Sequence, residues 1–187
     1  MTPSEKAHAL RDAIPPGGLF ADKSWRISPD PFPLSPELHR QLIELGPRLH
    51  SFNKACNLLY RQSVEGKQPE WIARWLDQGK PAELIELQRH PAFKNEVPRV
   101  IRPDLLLTES GVSVTELDSV PGGIGLTAWL NQTYCKAEIR NAESEIIGGA
   151  EGMLRGFESL FGDAGRVHIV VSEEAATYLP EMSWVAA

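Results

Sequence analysis

The chain has 187 residues, 42% of them hydrophobic and 24% charged, with a formal net charge of −6. Those values suit a globular protein with a substantial core and exclude a low-complexity chain. The acidic balance excludes a general nucleic-acid or anionic-membrane binder. No long uncharged apolar run is present, and MTPSEKAHAL at the N-terminus has no apolar centre. Neither a transmembrane helix nor a signal peptide is predicted. Cys56 and Cys135 stand far apart without further cysteines, which predicts separate reduced thiols and a cytoplasmic protein.

Residues 1–36 are rich in proline and glycine, with Pro15-Pro16-Gly17-Gly18 followed by SPDPFPLSP. They predict an extended arm anchored by Phe20, Trp25 and Phe32. Ser35-Pro36-Glu37 is a helix start, with serine as the N-cap and proline in the first turn. Leu38, Leu42, Leu45, Leu49 and Phe52 then recur at helical spacing, and the pattern resumes through Cys56, Leu59 and Tyr60. Gly46-Pro47 predicts a kink or two helices meeting there. A further helix is expected over Pro69–Gln78, burying Trp71, Ile72, Trp75 and Leu76, and another from Pro81 to Arg89. His39, His50 and His90 have no metal-ligand partners at helical spacing.

The stretch RVIRPDLLLTESGVSVTELDSVPGGIGLTAWLN, Arg99 to Asn131, carries the strongest signal. It reads as two strands joined by a tight turn, then a glycine-rich loop opening a helix. A three-residue loop Glu109-Ser110-Gly111 pairs Thr108 with Val112, Leu106 with Val114, Asp104 with Glu116 and Arg102 with Asp118. Strand alternation then puts all eight on one face, charged at the end away from the turn. Two carboxylates opposed at about 5 Å between Cβ atoms call for a metal ion, a shared proton or a basic partner. A solvated face with weak cross-strand ion pairs is the other reading, and a one-residue slip would move the set.

Gly123-x-Gly125-x-x-Ala128 follows a strand and opens a helix, as a relaxed dinucleotide fingerprint does. The charged strand before it and the helical ESEIIGGAEG after it argue against a nicotinamide or flavin site. A glycine-rich helix start can also hold a phosphate or a carboxylate. A helix is expected over Leu126–Tyr134, a long one over Asn141–Phe161, a strand at Val167–Val171 and a final helix from Tyr178 to Ala187.

Arg102-x-Asp104, Glu116-x-Asp118 and Pro121-Gly122 resemble the metal-binding end of the ATP-grasp ligases. The resemblance implies that Asp104, Glu116 and Asp118 bind Mg2+, that Arg102 is the catalytic cation on the phosphate side, and that Gly122, Gly123 and Gly125 belong to the cofactor loop. Asp118 stands where the family has asparagine, keeping an oxygen ligand and adding a charge. The hairpin precedes the strand at Val167–Val171, an order similar to the circularly permuted ATP-grasp proteins, which include glutathionylspermidine synthetase-like enzymes. FNKACNLLY and WIARWLDQGK resemble the same group.

On that likeness the expected fold is mixed α/β. An arm spans 1–36, helices with the ATP-grasp hairpin span 37–162, and the start of a Rossmann-like layer spans 163–187. The implied function is the metal-binding half of a Mg-ATP-dependent ligase acting on a small-molecule carboxylate and an amine. The adenine pocket and phosphate-binding lysines are expected in the remainder of the same polypeptide, beyond residue 187, so the fragment alone is expected to be inactive. The alternative is a non-catalytic binding or scaffold domain that retains the hairpin. Neither reading expects nucleic acid or membrane as partner.

Overall fold

A computed structural model describes residues 1–17, 26–109, 111–119, 122–136 and 145–187. Phe20, Trp25, Pro121 and Asn141 lie outside the described residues. The architecture is mixed α/β, with seven α-helices among the described residues and a two-stranded antiparallel sheet. In chain order these are α1 (Pro3–Asp12), α2 (Pro36–Val64), α3 (Glu70–Asp77), α4 (Ala82–Arg89), β1 (Arg102–Thr108), β2 (Gly111–Asp118), α5 (Ile124–Tyr134), α6 (Gly152–Glu158) and α7 (Leu179–Ala186). Among the described residues no helix is long and apolar enough to cross a membrane. Both cysteines are free. The chain divides into two compact units, Met1–Pro33 with Pro121–Ala187, and Leu34–Val120.

The first unit corrects the expectation of an extended arm. Thr2-Pro3-Ser4-Glu5 forms a capping box that starts α1: Glu5 N donates to Thr2 Oγ1 at 3.3 Å, and Thr2 N donates to Glu5 Oε2 at 2.7 Å. The local signal outweighs the proline-rich composition because two otherwise orphaned amides are satisfied at once. Leu10 of α1 is fully buried and packs with Ile27, Ile14 and Tyr134. Phe32, expected as an anchor, is 66% exposed. Tyr134 Oη donates to Ser28 O at 2.7 Å, and burial, then the charge of Asp30, pushes its phenol up. Around α5, helices α6 and α7 bury Ala128, Trp129, Thr133 and Met182.

The long helix expected over Asn141–Phe161 shortens to α6. Gly148 and Gly149 adopt left-handed backbone, with φ of 77° and 68°, and a helix cannot pass through such residues. Val167–Val171 lies in no ladder, and Val170 is 89% exposed. Among the described residues it has no neighbouring strand, so the alternation-free apolar run does not become sheet.

In the second unit Ser35 caps α2 as expected, with Leu38 N donating to Ser35 Oγ at 3.1 Å. Ser35→Ala should cost about 1 kcal/mol, checked by urea denaturation at constant m. Of the kink or helix junction expected at Gly46-Pro47, the junction does not occur, because α2 runs on through Pro47. Pro47 leaves the carbonyl of Ile43, four residues back, without a donor, and Ile43 is itself exposed. The Trp71, Trp75 and Leu76 stripe expected to be buried is 57%, 68% and 52% exposed. The two-turn α3 meets α2 through Ala73, held by Ser63, whose Oγ accepts from Ala73 N at 3.0 Å and donates to Pro69 O at 2.7 Å. One contact line cannot also cover the tryptophan side.

Three helices of this unit converge on Asp77. Its Oδ1 accepts from Tyr60 Oη at 2.8 Å and from Gln88 Nε2 at 2.6 Å, and Arg89 Nη2 pairs with Oδ2. Tyr60 Oη in turn accepts from Gln88 Nε2 at 2.6 Å and Arg89 Nε at 3.1 Å. Arg61 reaches the end of α4, donating to Gln88 O at 3.0 Å and Arg89 O at 3.5 Å, where helix carbonyls lack partners.

Candidate functional site

The charged end of the hairpin forms in the expected register. Arg102 pairs with Asp118 and Asp104 with Glu116. The turn end does not follow the expectation. Thr108 pairs with Gly111, Leu107 with Val112 and Leu106 with Ser113, so two residues, Glu109 and Ser110, separate the strands. Gly111 takes φ of 128° at the start of β2. Ser110 lies outside the described residues.

A bulge at Thr115 reconciles the two ends, since Leu105 pairs with Val114 while Asp104 pairs with Glu116. Thr115 Oγ1 donates to Asp104 O at 3.1 Å and pins the bulge. Its effect is to sort the faces. Pro103, Leu105, Leu107, Val112, Val114 and Leu117 share one side, and Arg102, Asp104, Glu116 and Asp118 share the other. An unbroken ladder would mix valines with carboxylates. The signal was present in the sequence: Val112-x-Val114 and Leu117 break the two-residue period, and only an extra residue restores it.

On the polar side Arg102 Nη2 donates to Asp118 Oδ2 at 2.7 Å, with side chains 41% and 27% exposed. Asp104 and Glu116 are exposed, directly opposed, and have no ion-pair partner among the described residues. At water-like screening their repulsion is about 1 kcal/mol, which the ladder tolerates and a cation would relieve. Among the described residues no group of three or more His, Cys, Asp or Glu side chains converges in ligand geometry. The donor chemistry still fits Mg2+, which takes one or two carboxylates and completes its shell with water and phosphate oxygens.

Gly122, Gly123 and Gly125 belong to the other unit. Gly123 caps α5 with left-handed backbone, φ 87°. Gly122 leaves room for the Tyr178 ring, which a Cβ there would overlap. Gly125 admits α7: an added Cβ would stand 2.6 Å from Glu181 Cγ and 3.0 Å from Glu181 O. Glu181 is fully buried, and its Oε1 accepts from Leu126 N at 3.2 Å, in the first turn of α5. A carboxylate from this chain therefore occupies the positive end of the helix. Sequence reasoning missed Glu181, because its partner lies 55 positions away. Comparison of this chain with family models, with curated proteins and with solved structures finds no match.

Proposed function

We propose that the polar face of the hairpin is the metal-binding half of a Mg-ATP-dependent, ATP-grasp-type carboxylate–amine ligase. One observation carries the reading: two unpaired carboxylates opposed in the ladder, beside an arginine–aspartate pair on the same face. Asp104 and Glu116 would hold Mg2+, with Asp118 as a further oxygen donor. A bound Mg2+ supplies charge neutralisation on the phosphates of ATP. Arg102 orients Asp118 and offers guanidinium donors to a phosphate or acyl phosphate. The exposed acids leave room for the phosphate oxygens that Mg2+ needs.

The scaffold reading is favoured by a different observation. Gly122 and Gly125 are already accounted for by the close approach of Tyr178 and Glu181. On that reading the glycines serve packing alone, and Gly122, Gly123 and Gly125 hold no cofactor.

Calorimetric titration of Mg-ATP into a polypeptide that also carries the nucleotide-binding part separates the two. The ligase reading expects binding that Glu116→Ala weakens about ten-fold or more, because a charge-neutralising ligand is lost. Mn2+ substituted for Mg2+ should broaden the NMR signals of residues 104 and 116 before others. Mg-ATP binding that ignores Glu116→Ala, with those signals sharp, sinks the assignment.

A further inference from the structure

The helical unit carries a second polar site, apart from the hairpin face. Lys54, Leu58, Arg61 and Glu65 recur at four- and three-residue steps, so they line one face of α2 and its C-cap. Lys94, Asn95 and Val97 form the opposite wall, tied to α2 by Asn57 Nδ2 donating to Lys94 O at 2.8 Å. Lys67 closes one end, where Gly66 turns the chain with φ of 74° and Lys67 N donates to Gln62 O at 2.8 Å. The half-open groove has a volume of about 730 Å³. That is the size of a small-molecule site.

Its charge opposes that of the chain. The groove is lined by Lys54, Arg61, Lys67 and Lys94 against the single carboxylate of Glu65, in a protein of net charge −6. The nearby end of α2 contributes only about half a negative charge, which does not offset the surplus. Lys67 Nζ pairs with Glu65 Oε2 at 2.7 Å. A hydrogen bond from Lys67 and then its charge hold the Glu65 carboxyl below its usual range, with Arg61 and Lys94 adding to the effect. Three of the four cations, Lys67, Arg61 and Lys94, therefore act on the Glu65 carboxylate. Lys54 and Lys94 make no ion pair or side-chain hydrogen bond among the described residues, and the surplus of like charge favours an anion.

We infer that this groove binds a small molecule carrying two or more linked phosphate groups, with Lys54 and Lys94 as its principal contacts. Glu65 acts as the internal counterion that the ligand displaces from Lys67. Free polyphosphate and the phosphate tail of a nucleotide share this chemistry. The site is independent of the hairpin, because it needs no metal and no residue of β1 or β2.

Inorganic triphosphate titrated into the whole chain in metal-free, low-salt buffer tests it by calorimetry. One-to-one binding is expected, weakened about ten-fold or more by Lys54→Ala with Lys94→Ala, and tightened by Glu65→Gln. Arg40→Ala with Arg48→Ala removes the same charge from the far half of α2 and should leave affinity within about two-fold if the effect is local. Equal affinity for triphosphate and ATP supports recognition of the phosphates alone, and tighter ATP binding supports a nucleotide. Absence of binding, equal losses in the two double variants, or adenosine binding as tightly as ATP overturns the proposal. Glu116→Ala should leave triphosphate binding unchanged, so failure here and failure at the hairpin are told apart.

Discussion

Asp77→Asn should lower the stability of the helical unit by about 2–3 kcal/mol. The Asp77 side chain is only 10% exposed, and it accepts from Tyr60, Gln88 and Arg89 together. Hydrogen bonds to a charged group contribute about 1.5–3 kcal/mol each, but they share one carboxylate and are not additive. Arg89 is 41% exposed, so water recovers part of its loss. Asparagine keeps one acceptor and turns an amide toward the guanidinium, placing donor against donor. Urea denaturation followed by far-UV circular dichroism measures the change. A loss below about 0.5 kcal/mol would show that the network is solvated and contributes nothing.

The same residue sets an acid limit. Burial pushes the Asp77 carboxyl up, but the bonds from Tyr60 and Arg89, the charge of Arg89 and the bond from Gln88 outweigh it and hold it below its usual range. The unfolded chain therefore takes up the proton more readily than the folded one. Asp77's contribution is complete above the ordinary carboxylate range and is lost as pH falls through the lower folded value. The wild-type stability should fall below about pH 4, and Asp77→Asn should remove that part of the slope. Identical pH profiles for the two proteins would contradict the assignment.

Gly125→Ala should destabilise the unit containing α5, by about 1–3 kcal/mol. Two effects compete at this position. Alanine favours a helix over glycine by up to about 1 kcal/mol. Against that, the new methyl meets Glu181 Cγ at 2.6 Å, Val185 Cγ2 at 2.9 Å and the Glu181 carbonyl at 3.0 Å. The carbonyl is backbone, so α7 itself must move, and the bond from Leu126 N to Glu181 weakens with it. Packing wins, and Tm should fall by several degrees, at about 2–4 °C per kcal/mol for a chain of this size. Gly156→Ala is the matched comparison. It lies inside α6 with nothing within 4 Å of its added Cβ and no left-handed backbone, so it should stabilise by about 0.5–1 kcal/mol. Equal shifts in the two variants would mean that α7 does not pack as described.

What the sequence alone determined is what neighbouring residues settle between themselves. Ser35-Pro36 starts α2, Gly123 opens α5, and the order of charges in Arg102-x-Asp104 and Glu116-x-Asp118 brings the four together at one end of the hairpin. Thr2-x-x-Glu5 and the broken alternation before Leu117 belong to the same class, being local signals that proline content and an assumed three-residue turn obscured. Tertiary structure decided the rest. Tyr60, Asp77 and Gln88 stand on three helices, and nothing in their spacing makes them partners. The tryptophans of α3 are exposed because burial depends on how many elements surround a helix, not on its own periodicity. At the glycine-rich loop the sequence predicts an open helix end ready for an anion, and the fold brings Glu181 to it from α7. Helix starts and strand pairing are fixed by bonds within a few residues, whereas the occupant of a helix end depends on which distant side chain packing delivers.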